Sequence, residues 1–163
     1  MKLVFRTDAS LDIGTGHVMR CLTLAQVLRA QGADCHFICR ALPGNLIARI
    51  SDLGFGVVAL PTSQSPDELG TQDTESLPAH TAWLGGNWRA DADDTATALQ
   101  SLRPDWLVVD HYALDRAWER EIRLFCNNLM AIDDLVDRPH DCDVLLDQTF
   151  GREEGDYAGL VPQ

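Results

Sequence analysis

Short apolar runs rich in β-branched and aromatic residues alternate with stretches of helical period along this chain. The architecture that accommodates such a rhythm is a parallel sheet wrapped by helices. A strand is predicted at about Leu3 to Arg6. A helix follows from about His17 to Gln31, with Val18, Cys21, Leu22, Ala25 and Leu28 on one stripe and Gly32 as its stop. Next come a strand near Cys35 to Cys39, a short helix around Leu46 to Leu53, and a strand from Val57 to Leu60 framed by Gly54 and Gly56. Helical pattern returns over Asp91 to Leu102. It is followed by a strand at Trp106 to Val109, a helix over Asp115 to Asn127, a strand at Leu129 to Ile132 and an apolar run at Val144 to Leu146. The fold class is therefore α/β, a doubly wound parallel sheet of about six strands. Residues 61–80, PTSQSPDELGTQDTESLPAH, are polar and too long for an ordinary connection, and read as a surface excursion beside a site or a mobile loop.

Length and charge narrow the function classes. The 163 residues, 45% of them hydrophobic, suit one domain with a sizeable core. Thirteen Lys and Arg against 25 Asp and Glu give a formal charge of −12, which disfavours nucleic acid and an anionic membrane face as partners. An anionic small ligand stays open, because backbone N–H groups bind phosphate without lysine. The start MKLVFRTD is too short for a secretory apolar region and no stretch reaches spanning length, so a cytoplasmic location is expected. The five cysteines are odd in number and lack a CxxC pairing, which points to buried free thiols. The five histidines show no HxxxH, HxH or HExxH spacing, so no metal is expected.

In an open parallel sheet, ligands bind beyond the carboxyl ends of the strands. The first strand releases Thr7, Asp8 and the loop DIGTGH there. The strand ending at Val109 releases Asp110, His111 and Tyr112, and the strand ending at Ile132 releases Asp133 and Asp134. Each aspartate serves either a site or a local cap or turn. The loop is not a dinucleotide fingerprint. Met19 stands where the third glycine belongs, and Arg40 where an acid would close the second strand. No GxxxxGK[ST] occurs, and no cofactor is expected. Gly14, Thr15 and Gly16 leave a strand-to-helix turn that a ligand can approach closely, with a helix N-terminus aimed at it. His17 lies in that first helical turn, where the positive end of the dipole disfavours an imidazolium and leaves the ring a candidate general base. A locally packed histidine is the alternative. His111 competes for the role, His36 reads as core, and His80 and His140 read as exposed loop residues.

The stretches RTDASLDIGTGHVMRCLTLA, LVVDHYALDRAWE, IDDLVDRPHDCDVLLDQ and YAGLVP occur in this order between about residues 3 and 162. Together they resemble the PseG-type UDP-sugar hydrolases of pseudaminic acid biosynthesis. That resemblance implies a Rossmann-like N-terminal half of a GT-B architecture over residues 1–150. It also implies that residues 151–163 begin a linker, with the C-terminal nucleotide-binding domain as the missing partner. The implied reaction is hydrolysis of UDP-2,4-diacetamido-2,4,6-trideoxy-β-L-altropyranose to UDP and free sugar, with inversion. His17 then matches the family's general base. Asp8, Gly14, Thr15, Gly16, Arg20, Asp110, His111 and Tyr112 become candidates for substrate contact. A GT-B glycosyltransferase half would use a base at the same loop, so spacing does not separate water from another acceptor. A receiver-like binding module is a second rival, suggested by Asp8, Asp133 and Asp134. It lacks the later lysine, since Lys2 is the only one.

Overall fold

The computed structural model describes residues 1–62 and 80–162. Most of the polar excursion read from the sequence, residues 63–79, lies outside the described residues. The elements in chain order are β1 (Lys2–Thr7), α1 (Gly16–Ala30), β2 (Asp34–Arg40), α2 (Ile47–Asp52), β3 (Gly56–Leu60), α3 (Trp88–Leu102), β4 (Trp106–Asp110), α4 (Arg116–Ile122), β5 (Asn128–Ile132) and β6 (Val144–Leu146). Single 3₁₀ turns occur at Thr81–Leu84, Arg123–Phe125 and Glu154–Tyr157.

The six strands form one sheet in the order β3-β2-β1-β4-β5-β6, every pair parallel. This is the doubly wound α/β arrangement expected from the alternation of runs. The chain winds outward from β1 to β3, then returns to lay β4 against the other side of β1. The order reverses between β1 and β4, the switch point beyond whose carboxyl ends sheets of this kind bind ligands.

Strand periodicity decides which side chain meets which helix layer. Val4 of β1, Leu107 and Val109 of β4, and Leu129 and Ala131 of β5 pack with Ala92, Leu99, Trp118 and Ile122 of α3 and α4. Leu3 and Phe5, Val108 and Ile132 turn the other way, onto Val18, Cys21, Leu22 and Ala25 of α1 and Ile50 of α2. Burial on both faces is why these strands read as continuous apolar runs rather than alternating ones.

Side-chain caps move two helix boundaries from their predicted places. Asn87 accepts the Ala90 N–H at 2.8 Å, so α3 begins before Asp91. Asp115 accepts the Ala117 N–H at 2.9 Å and stands outside α4 as its cap. Beyond Ile122 the chain tightens into a 3₁₀ turn instead of running helically to Asn127. Gly32 ends α1 as expected, with φ +90° and its N–H on the Arg29 carbonyl.

Three expectations are corrected. His140 is not exposed: it is 2% accessible, with Nδ1 2.7 Å from the buried Glu119 carboxylate and Nε2 3.8 Å from Asp133. His36 is only half-buried, its Nε2 2.9 Å from Asp34 at the strand edge. The sequence after β6, DQTFGREEGDYAGLVPQ, has no core-building pattern and reads as contributing nothing to the core, yet its Tyr157 is 5% exposed. The Tyr157 hydroxyl lies 2.9 Å from both the Asp133 carbonyl and the Asp147 carboxylate. One aromatic side chain, helped by the bond from the His140 N–H to the Leu160 carbonyl, docks this segment, and a single ring forms no repeat that periodicity can register. All five cysteines are free, and Cys126 alone is half-buried rather than buried.

Candidate active site

The loop after β1 is folded around Ser10. Its Oγ accepts the N–H groups of Asp12 and Ile13, and its carbonyl accepts the Gly14 N–H at 2.9 Å. Gly14 takes φ +77°, a conformation that favours glycine. Gly16 has no neighbouring atom within 4 Å of where a Cβ would sit, so the loop backbone stands open. Thr15 precedes α1 without a side-chain cap bond, and the first turn carries no acid. The leading N–H groups of α1 are thus left to whatever approaches them. Gly14, Thr15 and Gly16 are all exposed.

His17 follows immediately and is 7% exposed. In the register of β1 with β4, Thr7 pairs with Asp110. Asp110 has the parity of Val108 and so faces α1. Its Oδ1 lies 2.6 Å from His17 Nδ1. A carboxylate accepts only, so Nδ1 is the donor, and in the neutral ring Nε2 carries the free electron pair. Arg20, one turn along α1, clamps the same carboxylate: Nε donates to Oδ2 at 2.5 Å and Nη2 to Oδ1 at 2.6 Å. Cys21 Sγ donates to Oδ2 at 3.4 Å. Burial opposes ionisation of Asp110, but the bonds from Arg20 and then His17 outweigh it and hold its pKa below the usual carboxylate range. The same burial, reinforced by Asp110, pushes the Cys21 thiol well up, so it stays protonated and inert.

Arg20 is occupied a second time, with Nη1 donating to Asp134 Oδ2 at 2.8 Å. The other oxygen of Asp134 accepts the Tyr112 hydroxyl at 2.5 Å. Desolvation first, and then Asp134, push the Tyr112 phenol up to about 12, so it is a donor. The Tyr112 ring meets His17 edge-on at 4.4 Å between centroids. Beyond it stand His80, 5.4 Å from Tyr112, and Trp83, stacked at 5.9 Å. His80 also lies over Trp83 at 4.3 Å and is half-buried, not exposed as its polar surroundings suggested.

The parity that brings Asp110 to α1 sends its neighbours to the other face. Arg6, Asp8 and His111 lie buried on the α3 side. Asp8 accepts the Arg40 N–H at 2.6 Å, and it lies 2.7 Å from Arg6 Nη1 and 3.4 Å from His111 Nε2. Burial works against its charge, but Arg6 and His111 hold its pKa well below the ordinary value. His111 Nδ1 accepts the Ala113 N–H, which fixes its tautomer and shapes the turn after β4. Arg40 pairs with Asp91 and Asp94 of α3, so the residue that replaced a ribose-binding acid is a buried structural cation.

The structure therefore gathers His17, Arg20, Asp110 and Tyr112 at one point beside Gly14, Thr15 and Gly16. It places Asp8 and His111 beneath that floor. Sequence reasoning placed Asp134 at this edge of the sheet without assigning it to the group, and it missed Trp83 and His80. The doublet of acids after β5 was the available signal: Asp133 has the parity of Ala131 and Asp134 that of Ile132, so only the second faces α1.

No family model matches the chain. It is 30% identical over 163 residues, 99% of its own length, to the UDP-2,4-diacetamido-2,4,6-trideoxy-beta-L-altropyranose hydrolase of Campylobacter jejuni, and covers 47% of that protein. An uncharacterised protein of Methanocaldococcus jannaschii is 23% identical over 133 residues, 82% of this chain and 22% of the relative. The chain spans about half the length, or less, of these curated relatives.

Proposed function

We propose, on the premise that this chain carries a PseG-type N-terminal domain, that it supplies the general base of a UDP-sugar hydrolase. The substrate is a UDP-linked 2,4-diacetamido-2,4,6-trideoxy sugar of pseudaminic acid biosynthesis, and the products are UDP and the free sugar. The observation that carries this reading is the His17–Asp110 contact at the switch point of the sheet. With Nδ1–H held by the carboxylate, Nε2 takes a proton from water as its oxygen attacks the anomeric carbon. Asp110 stabilises the imidazolium that results and keeps the ring from turning.

A diphosphate leaves without needing a proton, but its growing charge needs stabilisation. The uncapped first turn of α1, beside the open backbone at Gly16, supplies N–H groups and the positive dipole end for that purpose. A single base facing the carbon through one water suits inversion. The Tyr112, Trp83 and His80 rings offer an apolar wall to the methyl groups of such a sugar. The uridine is bound by a second, C-terminal domain of the complete enzyme, which works in the cytoplasm.

The test is UDP and free-sugar release from the altrose nucleotide by the complete enzyme, with no acceptor added. His17→Ala and His17→Asn are expected to abolish turnover while UDP affinity stays within a few-fold. Activity within a few-fold of the unsubstituted enzyme removes His17 from the mechanism. UDP release that appears only with an added acceptor makes the protein a glycosyltransferase instead.

A further inference from the structure

Resting on the reading of His17 as proton acceptor, the geometry points to Asp134 as a positioning residue of the site: it absorbs the charge of Arg20, so that the charge of Asp110 remains available to the imidazole. Asp110 by itself leaves a difficulty. Asp110 is fully buried and is shared between His17 and the two-point clamp of Arg20. Taken alone, Asp110 and Arg20 form a neutral pair. A neutral pair gives an arriving imidazolium little, and Arg20 Nη2, 3.4 Å from His17 Nδ1, would oppose it.

Asp134 removes the difficulty. Its Oδ2 lies 2.8 Å from Arg20 Nη1, and its Oδ1 is held by the Tyr112 hydroxyl, so the carboxylate is fixed at both oxygens. Arg20 and Asp134 are 17% and 22% exposed, less open than a surface pair, so solvent weakens their interaction only in part. The set Asp110, Arg20 and Asp134 carries a net charge of −1, which falls to zero when His17 takes its proton. The site is thereby matched to the state in which the base has done its work.

The groups facing His17 come from every element packed on it. They are Arg20 and Cys21 from α1, Asp110 and Tyr112 from the end of β4, Asp134 from the end of β5, and His80 behind the Tyr112 ring. Arg138 sits over the far side of that ring at 5.6 Å. Tyr112 and Cys21 stay neutral in the working range, and Arg138 is paired with Asp133 and Asp137 at 2.8 and 2.9 Å, so Asp110, Arg20 and Asp134 are the charges nearest the imidazole.

A charge-neutralisation cycle tests the assignment. The Cε1–H resonance of His17 is followed against pH in this chain and in Asp134→Asn, Arg20→Gln and the double variant. Asp134→Asn is expected to move the titration midpoint down by about 0.5 to 1 pH, Arg20→Gln to move it up by a similar amount, and the double to restore it. Asp134→Glu keeps the charge and leaves the midpoint in place. In the complete enzyme, the acid limb of UDP release follows the same signs, and Asp134→Asn lowers the plateau about threefold to tenfold. A merely structural role loosens the site and moves both single variants in the same direction; that result, or no movement in either, overturns the proposal. If one single variant fails to fold, the contrast of Asp134→Asn with Asp134→Glu, or an upward shift in Arg20→Gln, decides the sign, and equal shifts in Asp134→Asn and Asp134→Glu overturn the proposal. Opposed midpoint shifts without any hydrolysis keep the charge assignment and discard the hydrolase reading. Hydrolysis that requires His17 with no midpoint response does the reverse.

Discussion

Asp110→Asn is the substitution on which most of the site depends. The carboxylate accepts from His17 Nδ1 at 2.6 Å, from Arg20 Nε and Nη2 at 2.5 and 2.6 Å, and from Cys21 Sγ at 3.4 Å. An amide keeps one acceptor oxygen and turns the other position into a donor. Arg20 loses half of its clamp but keeps Asp134, so the stability cost falls below that of a fully orphaned buried cation. We expect about 2 to 4 kcal/mol, or about 5 to 15 °C in Tm for a chain of this size. The effect on turnover is larger. If the amide N–H points at Nδ1, the ring must accept there, and Nε2 becomes the protonated nitrogen. A wrong tautomer costs about 10⁴ in the comparable serine protease triad. Because the diphosphate of the proposed substrate leaves readily, a loss of about 10² to 10³ in kcat, equivalent to about 3 to 4 kcal/mol, is expected here. The assay is initial-rate UDP release by the complete enzyme, with thermal unfolding of the same samples to count folded protein. A Tm drop within that range together with kcat within tenfold of the unsubstituted enzyme would refute the tautomer argument and leave Asp110 a purely structural anion.

Two stability predictions concern the rest of the buried charge. Asp91 is 1% exposed and accepts from Arg6 Nη2 at 2.6 Å, Arg40 Nη2 at 2.7 Å and Trp118 Nε1 at 3.0 Å; Asp91→Asn leaves two buried guanidinium groups short of an anion. A loss of about 3 to 5 kcal/mol in urea unfolding is expected, and less than about 1 kcal/mol would contradict it. For His140, burial disfavours the imidazolium, but Asp133 and Glu119 outweigh it and raise its pKa from 6.5 to about 9. The folded value exceeds the unfolded one, so this stabilisation is complete below about pH 6.5 and is lost as pH climbs through 9. Unfolding free energy should therefore decline across that window, and His140→Gln should flatten the decline; an unchanged slope argues against a charged His140.

A parallel sheet of about six strands was legible in the sequence, but the order of those strands was not. The alternation of apolar runs marks a parallel sheet, because a strand buried on both faces has no polar face to display. Helix ends were less legible at Asp91 and Asp115, where caps and not periodicity set the boundary. His140 and Tyr157 were misjudged because a single buried polar or aromatic side chain leaves no repeat in the sequence. Its partners, Glu119 for one and Asp133 and Asp147 for the other, lie far along the chain.

The loop DIGTGH by itself already marked the place of the candidate site. A missing third glycine, a histidine in the first helical turn and aspartates after three strands are local facts, and local backbone physics reads them. Pairing was decided only by the tertiary structure. Whether Asp8, Asp110, His111 or Asp134 serves His17 depends on strand order and on side-chain parity at each strand end. Register sets Thr7 beside Asp110, and a shift of one residue carries a carboxylate to the opposite face of the sheet. That geometry sends Asp110 and Asp134 to α1 and buries Asp8 and His111 against α3, a division that no spacing along the chain encodes.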